Sequence, residues 1–357
     1  MIVQPMHAAI RVEQSSSTSR MAGLGALVLI AALFSSPAWL DRGHLSMLME
    51  FFYFLAIAQM WNLLAGFAGI ISLGQQAFLG LGGYVLFSLS IQHGWNPIAA
   101  LLMAGVVGAL VAIPGALVVF RLQGAYLAIG TWVVAETFKL AFSEVTSLGA
   151  GSGISLPASV ARAVSLGPLH RDTVLYAAAL LIAFLSTFCS YALLRSQAGL
   201  ALTAVRDNEA TARSAGVNSL RIKLLVFVAT GFGTALTGAL IYLSKLRISP
   251  AAAFDVNWTS YMIFIVVIGG IGTLEGPIAG TLVFFLLRQY LSDLGSWYLI
   301  LLGVVAVVVM LRMPSGLWGT FAKSRDISLF PTRRRLAYSA ADSRATGEVM
   351  YPGKEHR

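Results

Sequence analysis

Charged side chains that can do chemistry are rare within the apolar stretches of this 357-residue sequence. Glu136 and Lys139 stand three residues apart, so on a helix they share one face and can neutralise each other. The alternative is that Glu136 faces a cavity and meets the ammonium group of a substrate. Glu50 and Arg288 lie near the ends of apolar stretches, and we expect their side chains to extend to the membrane interface.

Motifs for metal, hydrolytic and nucleotide chemistry are missing from the sequence. The 5 histidines are scattered without an i, i+4 pair, and neither HExxH nor GxSxG occurs. The Gly353-Lys354 pair is followed by Glu355, where a Walker A loop needs Ser or Thr. A single cysteine, Cys189, offers neither a disulfide nor a cysteine metal site. The sequence therefore predicts no metal, no catalytic residues and no ATP site in this chain.

The segment 195–221 combines charged residues with small ones. Alanines alternate with Arg206, Asp207, Glu209 and Arg213, a composition that favours short helices interrupted at glycines. Such a helix either docks its small face on a partner or simply connects two membrane spans in solvent. The residues alone leave both interpretations open.

Composition indicates what must hold these residues in place. The chain is 57% hydrophobic and 11% charged, with a mean hydropathy of +0.80. A soluble domain carries about 25% charged residues, so a soluble enzyme, a nucleic-acid binder and a disordered chain are excluded. The predicted fold class is all-α, a polytopic transmembrane helical bundle.

Stretches of about 20 apolar residues mark the membrane spans. Ten are predicted, with eight to ten as the range, at 21–40, 49–67, 76–92, 97–120, 124–142, 173–194, 222–244, 259–273, 276–291 and 296–312. Lys and Arg cluster in segment 195–221 and in the tail, and the positive-inside rule places both in the cytoplasm. We therefore expect a cytoplasmic segment 1–20, a membrane domain 21–319 and a basic, disordered cytoplasmic tail 320–357.

The first apolar stretch has a second interpretation. Arg20, the run 21–34 and Ser36-Pro37-Ala38 resemble a cleavable signal sequence. A retained span is favoured because apolar residues continue to Leu40.

Glycines concentrate at 66–83 and at 269–280. Close backbone packing between helices is one explanation, and a broken helix that lines a substrate path is the other. The second cluster contains Gly269, Gly270, Gly272, Gly276 and Gly280.

One block of residues makes the chain recognisable. Residues 204–218 (AVRDNEATARSAGVN), followed by Lys223, resemble the EAA segment of ABC importer permeases, in the form found in LivM-type branched-chain amino acid permeases. Four further stretches are similar to blocks of that family: 61–84, 126–129 with Glu136, 149–154 and 269–280. A fifth, 313–319 (MPSGLWG), resembles its C-terminal block. The resemblance covers about residues 48–319.

The resemblance implies one of two different permease subunits in the bacterial inner membrane. Its partners would be two cytoplasmic ATPases, which use ATP and Mg²⁺, and an extracytoplasmic solute-binding protein. The chain itself would bind no cofactor. ATP-driven alternating access would pass through a coupling helix around residues 206–215, which Gly216 would end. The implied coupling residues are Arg206, Asp207, Glu209, Ala210, Arg213, Gly216 and Asn218, and Glu136, Gln75 and Gln76 are the candidates for the translocation path.

Branched-chain or other hydrophobic amino acids are the substrates that the family's name implies. Urea or short amides, and aromatic acids, are the alternatives within the family. A secondary transporter or channel is the rival of another class, and a membrane enzyme is the least favoured reading.

Overall fold

The protein is described by a computed structural model that covers residues 10–13, 25, 30–165, 170–291, 295, 297–325, 330 and 335–338. These residues form a helical bundle. Its α-helices in chain order are α1 (Arg42–Asn62), α2 (Gln76–Gln92), α3 (Pro97–Val119), α4 (Ala125–Ser143), α5 (Ala158–Arg162), α6 (Arg171–Arg195), α7 (Gln197–Asp207), α8 (Glu209–Ser214), α9 (Ser219–Lys245), α10 (Pro250–Ala253), α11 (Val256–Gly269), α12 (Gly276–Leu291), α13 (Trp297–Arg312) and α14 (Gly316–Arg325).

Within the described residues, seven helical segments are long and apolar enough to cross a membrane. They are Arg42–Phe67, Pro97–Val119, Ala125–Ser143, Arg171–Arg195, Ser219–Lys245, Pro250–Gly269 and Leu299–Arg325. The chain is therefore an all-α, multi-pass membrane protein. Helices α2 and α12 coincide with predicted spans but have only 17 and 16 residues, and part of the predicted span 21–40 lies outside the described residues. A count of about ten crossings stays a prediction.

Helices α1 and α9 form the buried centre of the bundle. Helix α9 packs along α2 and α3 and also contacts α1 and α6. Backbones approach closely there: a Cβ at Gly82 would overlap the carbonyl of Ala235. Small residues thus let apolar helices pack where lipid would otherwise compete for the contact.

Two interruptions divide the long apolar runs. Helix α1 ends in a π-helical turn, Leu63–Phe67. Residues 68–75 then fold back against α1, where the Trp61 indole N–H donates to the Ser72 carbonyl at 3.0 Å. Helix α11 ends at Gly269, four residues before the predicted end of its span, and the glycine turn 270–275 leads into α12.

The crossing of α11 and α12 requires glycine. A Cβ at Gly280 would overlap the carbonyl oxygen of Ile265, and one at Gly269 would overlap that of Gly276. Close packing therefore occurs at this glycine cluster, and a broken helix that lines a substrate path stays a prediction.

Short strands join distant segments. The strand β2 (Ile154–Ser155) pairs antiparallel with β3 (Arg247–Ile248), and β1 (Ile10–Glu13) pairs with β4 (Arg335–Tyr338). The boundary predicted at residue 320 falls inside α14, which runs to Arg325. Most of the tail after Arg325, and the segment 1–20 except for β1, lie outside the described residues, so their predicted disorder and location stay predictions.

Candidate functional site

The segment 195–221 folds into two short helices, α7 and α8, with a break between them. Asn208 has an extended backbone that ends α7, and its side-chain oxygen accepts a hydrogen bond from the Thr211 N–H at 3.0 Å. Asn is a favoured N-cap because this bond satisfies a free amide at the helix start. Asn218 caps α9 in the same way, through the Arg221 N–H at 3.1 Å. The single helix expected around residues 206–215 is therefore two, meeting at Asn208.

Glu209 lies at the centre of an ion-pair cluster. Its carboxylate accepts from Arg213 of the same helix at 2.6 Å and from Lys223 of α9 at 2.6 Å. Partial burial raises the pKa of Glu209, but hydrogen bonds from Lys223, Ser219 and Arg213 outweigh that effect and lower it to about 2. The carboxylate is thus ionised at neutral pH and ties α8 to the start of α9.

The side chain of Arg206 is directed into the bundle. Its Nη1 donates to the carbonyl of Gly66 at 3.1 Å, at the π-helical turn that ends α1, while Nε pairs with Asp207 at 3.0 Å. Gly272 of the glycine turn lies beside it, since a Cβ there would sit 3.7 Å from Arg206 Nη1. Arg206 therefore connects α7 to the places where both helix interruptions meet.

The remaining predicted coupling residues lie on the outer side of this segment. Ala210, Arg213, Gly216 and Asn218 are exposed, whereas Ala212 is buried against the bundle. Gly216 follows α8 and has φ +85°, a left-handed conformation that glycine adopts without a steric penalty. These exposed residues are small or polar, and their contact with a partner stays a prediction.

Amide side chains of α1 hold the glycine turn. Asn62 accepts from the Gly272 N–H at 2.9 Å and donates to the Thr273 carbonyl at 2.8 Å, and Gln59 donates to the Leu274 carbonyl at 2.8 Å. Both side chains are fully buried. They satisfy buried backbone groups that the glycine turn would otherwise leave unpaired.

Gln75 and Gln76 make similar contacts at the start of α2. Gln76 accepts from the Thr259 hydroxyl of α11, and Gln75 accepts from the Thr234 hydroxyl of α9 at 3.4 Å. Both glutamines are buried. We call the six residues Gln59, Asn62, Gln75, Gln76, Thr234 and Thr259 the amide–threonine core; it fixes both helix interruptions through uncharged groups.

Glu136 and Lys139 form an ion pair on α4, with Nζ 2.7 Å from Oε1. Their side chains are 45% and 34% exposed, although the helix is one of the membrane-spanning segments. A cavity of about 40 Å³ lies nearby, between α2, α3, α4 and α9. The described residues that line it include Ser72, Phe78, Val111, Thr131 and Phe227, but not Glu136, Gln75 or Gln76. The structure thus separates the candidate path residues: Glu136 faces outward from α4, and the two glutamines face the core.

Glu50 and Arg288 lie on facing helices, and their expected extension to the membrane interface stays a prediction. They pair with each other across α1 and α12 at 2.5 Å, and Glu50 also accepts from Tyr53 at 2.7 Å. The Arg288 guanidinium lies 5.2 Å from the centre of the Phe54 ring. Pairing and stacking lower the cost of leaving water, which allows both charges to stay between the helices.

Sequence reasoning missed the roles of Asn208, Gln59 and Asn62. Asn208 had a local signal, because Asn between two helix-forming runs is typical of an N-cap. Gln59 and Asn62 are three residues apart in an apolar run, so on a helix they share one face. Two amides on one face of an apolar helix indicate a buried polar partner, and that signal was present in the sequence.

Comparisons with known proteins give a consistent result. The family described as "Branched-chain amino acid transport system / permease component" matches residues 44–312. The chain is similar to the high-affinity branched-chain amino acid transport system permease protein LivM of Escherichia coli (strain K12), with 29% identity covering 82% of this chain and 74% of that protein.

Two further relatives are similar to this chain over comparable fractions of its length. LivM of Salmonella typhimurium is 27% identical over 82% of this chain and 74% of that protein. A probable branched-chain amino acid transport permease protein LivM from Methanocaldococcus jannaschii is 27% identical over 76% of this chain and 88% of that protein. No solved structure matches.

Proposed function

Because the chain belongs to the branched-chain amino acid transport system permease family, we propose that it is the membrane subunit of an ATP-driven importer of hydrophobic amino acids. The match over residues 44–312, with LivM relatives along most of the chain, is the observation that carries the proposal. The substrate class comes from the names of those relatives, which are permeases for branched-chain amino acids.

We assign ATP hydrolysis, with its Mg²⁺, to two ATPase subunits that contact α7 and α8. A second, different permease subunit and an extracytoplasmic solute-binding protein complete the assembly. This places segment 195–221 and the C-terminus on the cytoplasmic side of the inner membrane, as the cluster of basic residues there favours.

The contacts around Arg206 support a route for coupling. Closure of the ATPase pair would move α8, whose ion pairs through Glu209 carry α9 with it. Movement of α7 would pull Arg206 against Gly66 and the glycine turn. Since both helix interruptions meet there, one displacement reaches α1, α2, α11 and α12, and the bundle exchanges inward and outward openings by alternating access.

Uptake of labelled substrates tests the proposal. Cells with and without this gene are compared for leucine, isoleucine, valine, phenylalanine, urea and benzoate. Loss of leucine, isoleucine and valine uptake is the expected result. Loss of urea or benzoate uptake alone would replace the substrate class, and uptake driven by a proton or sodium gradient without ATPase subunits would overturn the importer assignment.

A further inference from the structure

The two ion pairs within the membrane-spanning bundle differ in what they do for the fold. Glu50 and Arg288 join α1 to α12, with Tyr53 and Phe54 around them. Glu136 and Lys139 are on one helix and link α4 to no other element through their pair. The packing of the bundle therefore gives little reason for this pair.

The position of the second pair is costly if it faces lipid. Glu136 lies near the middle of α4, a membrane-spanning helix, and its side chain is 45% exposed. Charged groups are strongly unfavourable in hydrocarbon, and they normally face a partner or a water-filled path. This face of α4 is therefore covered by protein or water during function.

Apolar side chains surround the pair on the same face. Trp132 and Leu140 stand four residues before and after Glu136, and Val133 three before it, which aligns them along the helix. They are 46%, 63% and 57% exposed. The face thus offers one anion, one cation and an apolar flank within two helical turns.

We propose that this face binds the zwitterionic amino acid during its passage, with Glu136 receiving the α-ammonium group and Lys139 the α-carboxylate. The internal ion pair then substitutes for the ligand when the site is empty. Trp132, Val133 and Leu140 contact the aliphatic side chain. The inference rests on the proposed function and names the groups that recognise its substrate. When the amino acid binds, the Glu136–Lys139 ion pair is replaced by one ion pair from each residue to the substrate. Every charge therefore stays compensated, as a membrane interior requires.

The test uses the complete complex of both permease subunits, ATPases and binding protein, reconstituted in vesicles. Glu136→Gln and Lys139→Met each remove one charge at nearly constant size. We expect each to lower leucine uptake at least roughly tenfold, because a hydrogen bond to a charged group contributes enough for that factor. Co-purification of the subunits and ATP hydrolysis stimulated by the binding protein should remain near wild-type values.

A reversed pair separates ligand binding from a structural role. Glu136→Lys combined with Lys139→Glu keeps an ion pair on α4 but exchanges its polarity. Continued loss of uptake with intact assembly supports the proposal, whereas recovery of uptake would assign the pair to structure and overturn it. Glu144→Gln, at the exposed C-cap of α4, is the matched control and should transport normally.

Failure of the two proposals gives different results. A wild-type complex that carries no amino acid refutes the proposed function. A wild-type complex that carries leucine, together with Glu136→Gln and Lys139→Met variants that carry it within twofold, refutes only the assignment of these two residues.

Discussion

Replacement of Arg206 by Met tests the coupling route most directly. The substitution keeps a long side chain but removes the charged donor to the Gly66 carbonyl. A hydrogen bond from a charged group contributes about 1.5–3 kcal/mol. The Arg206 side chain is 30% exposed, so solvent weakens the bond, and we take about 1–1.5 kcal/mol. That loss corresponds to roughly a five- to twelvefold change in the equilibrium constant between coupled and uncoupled states.

The assay counts substrate molecules transported per ATP hydrolysed in vesicles that contain the whole complex. We expect this ratio to fall roughly five- to twelvefold in Arg206→Met, with ATP hydrolysis itself within about twofold of wild type. The reason is that the ATPases still turn over while their movement no longer reaches α1 and the glycine turn.

Two variants accompany it. Arg206→Lys keeps the charge on a shorter side chain with a single nitrogen, so it should be impaired almost as strongly. Arg221→Met removes an exposed arginine at the start of α9 and should leave the ratio unchanged. An unchanged ratio in Arg206→Met, or an equal loss in Arg221→Met, would refute the coupling route.

Three further predictions concern stability. Gly280→Val should lower the free energy of unfolding of the purified protein by about 1–3 kcal/mol or prevent its assembly, because the new side chain overlaps the Ile265 carbonyl. The control is Gly303→Val, where nothing lies within 4 Å of a Cβ and wild-type behaviour is expected; equal losses in the two variants would contradict the argument. Arg288→Met should destabilise by about 1–3 kcal/mol, since it leaves Glu50 unpaired at a half-buried site, and the double change with Glu50→Gln should recover at least half of the loss in a thermal melt. The low pKa of Glu209 means that its contribution to stability is present above the unfolded value of 4.5 and is lost as the pH falls toward about 2. The protection factors of the α8 amides, which correct the exchange rate for its intrinsic pH dependence, should therefore be constant from pH 8 to 5 and fall only below about 4.5; a fall between pH 7 and 5 would contradict the argument.

Hydropathy located the long helices well. The predicted spans 97–120, 124–142 and 173–194 differ by at most two residues at each end from α3, α4 and α6, because a run of apolar residues in a membrane leaves the backbone few alternatives to a helix. Charge composition also identified segment 195–221 as a distinct element between two spans.

Contacts between distant segments could not be predicted in this way. Arg288 and Glu50 are separated by 238 residues, and only the packing of α12 on α1 brings them together. The same holds for Arg206 and Gly66, which lie 140 residues apart. A pattern along the chain shows that a charge is present in a membrane, but the three-dimensional fold decides whether its partner is water, lipid or another helix.

The uncharged nature of the amide–threonine core has an electrical consequence. A residue that carries a net charge would do work against the membrane potential whenever it changed depth, at about 2.3 kcal/mol per elementary charge for each 100 mV. Gln59, Asn62, Gln75, Gln76, Thr234 and Thr259 hold both helix interruptions without any formal charge. The glycine turn and the start of α2 can therefore exchange hydrogen-bond partners without moving charge across the bilayer, and rearrangement of this core adds no voltage dependence to transport.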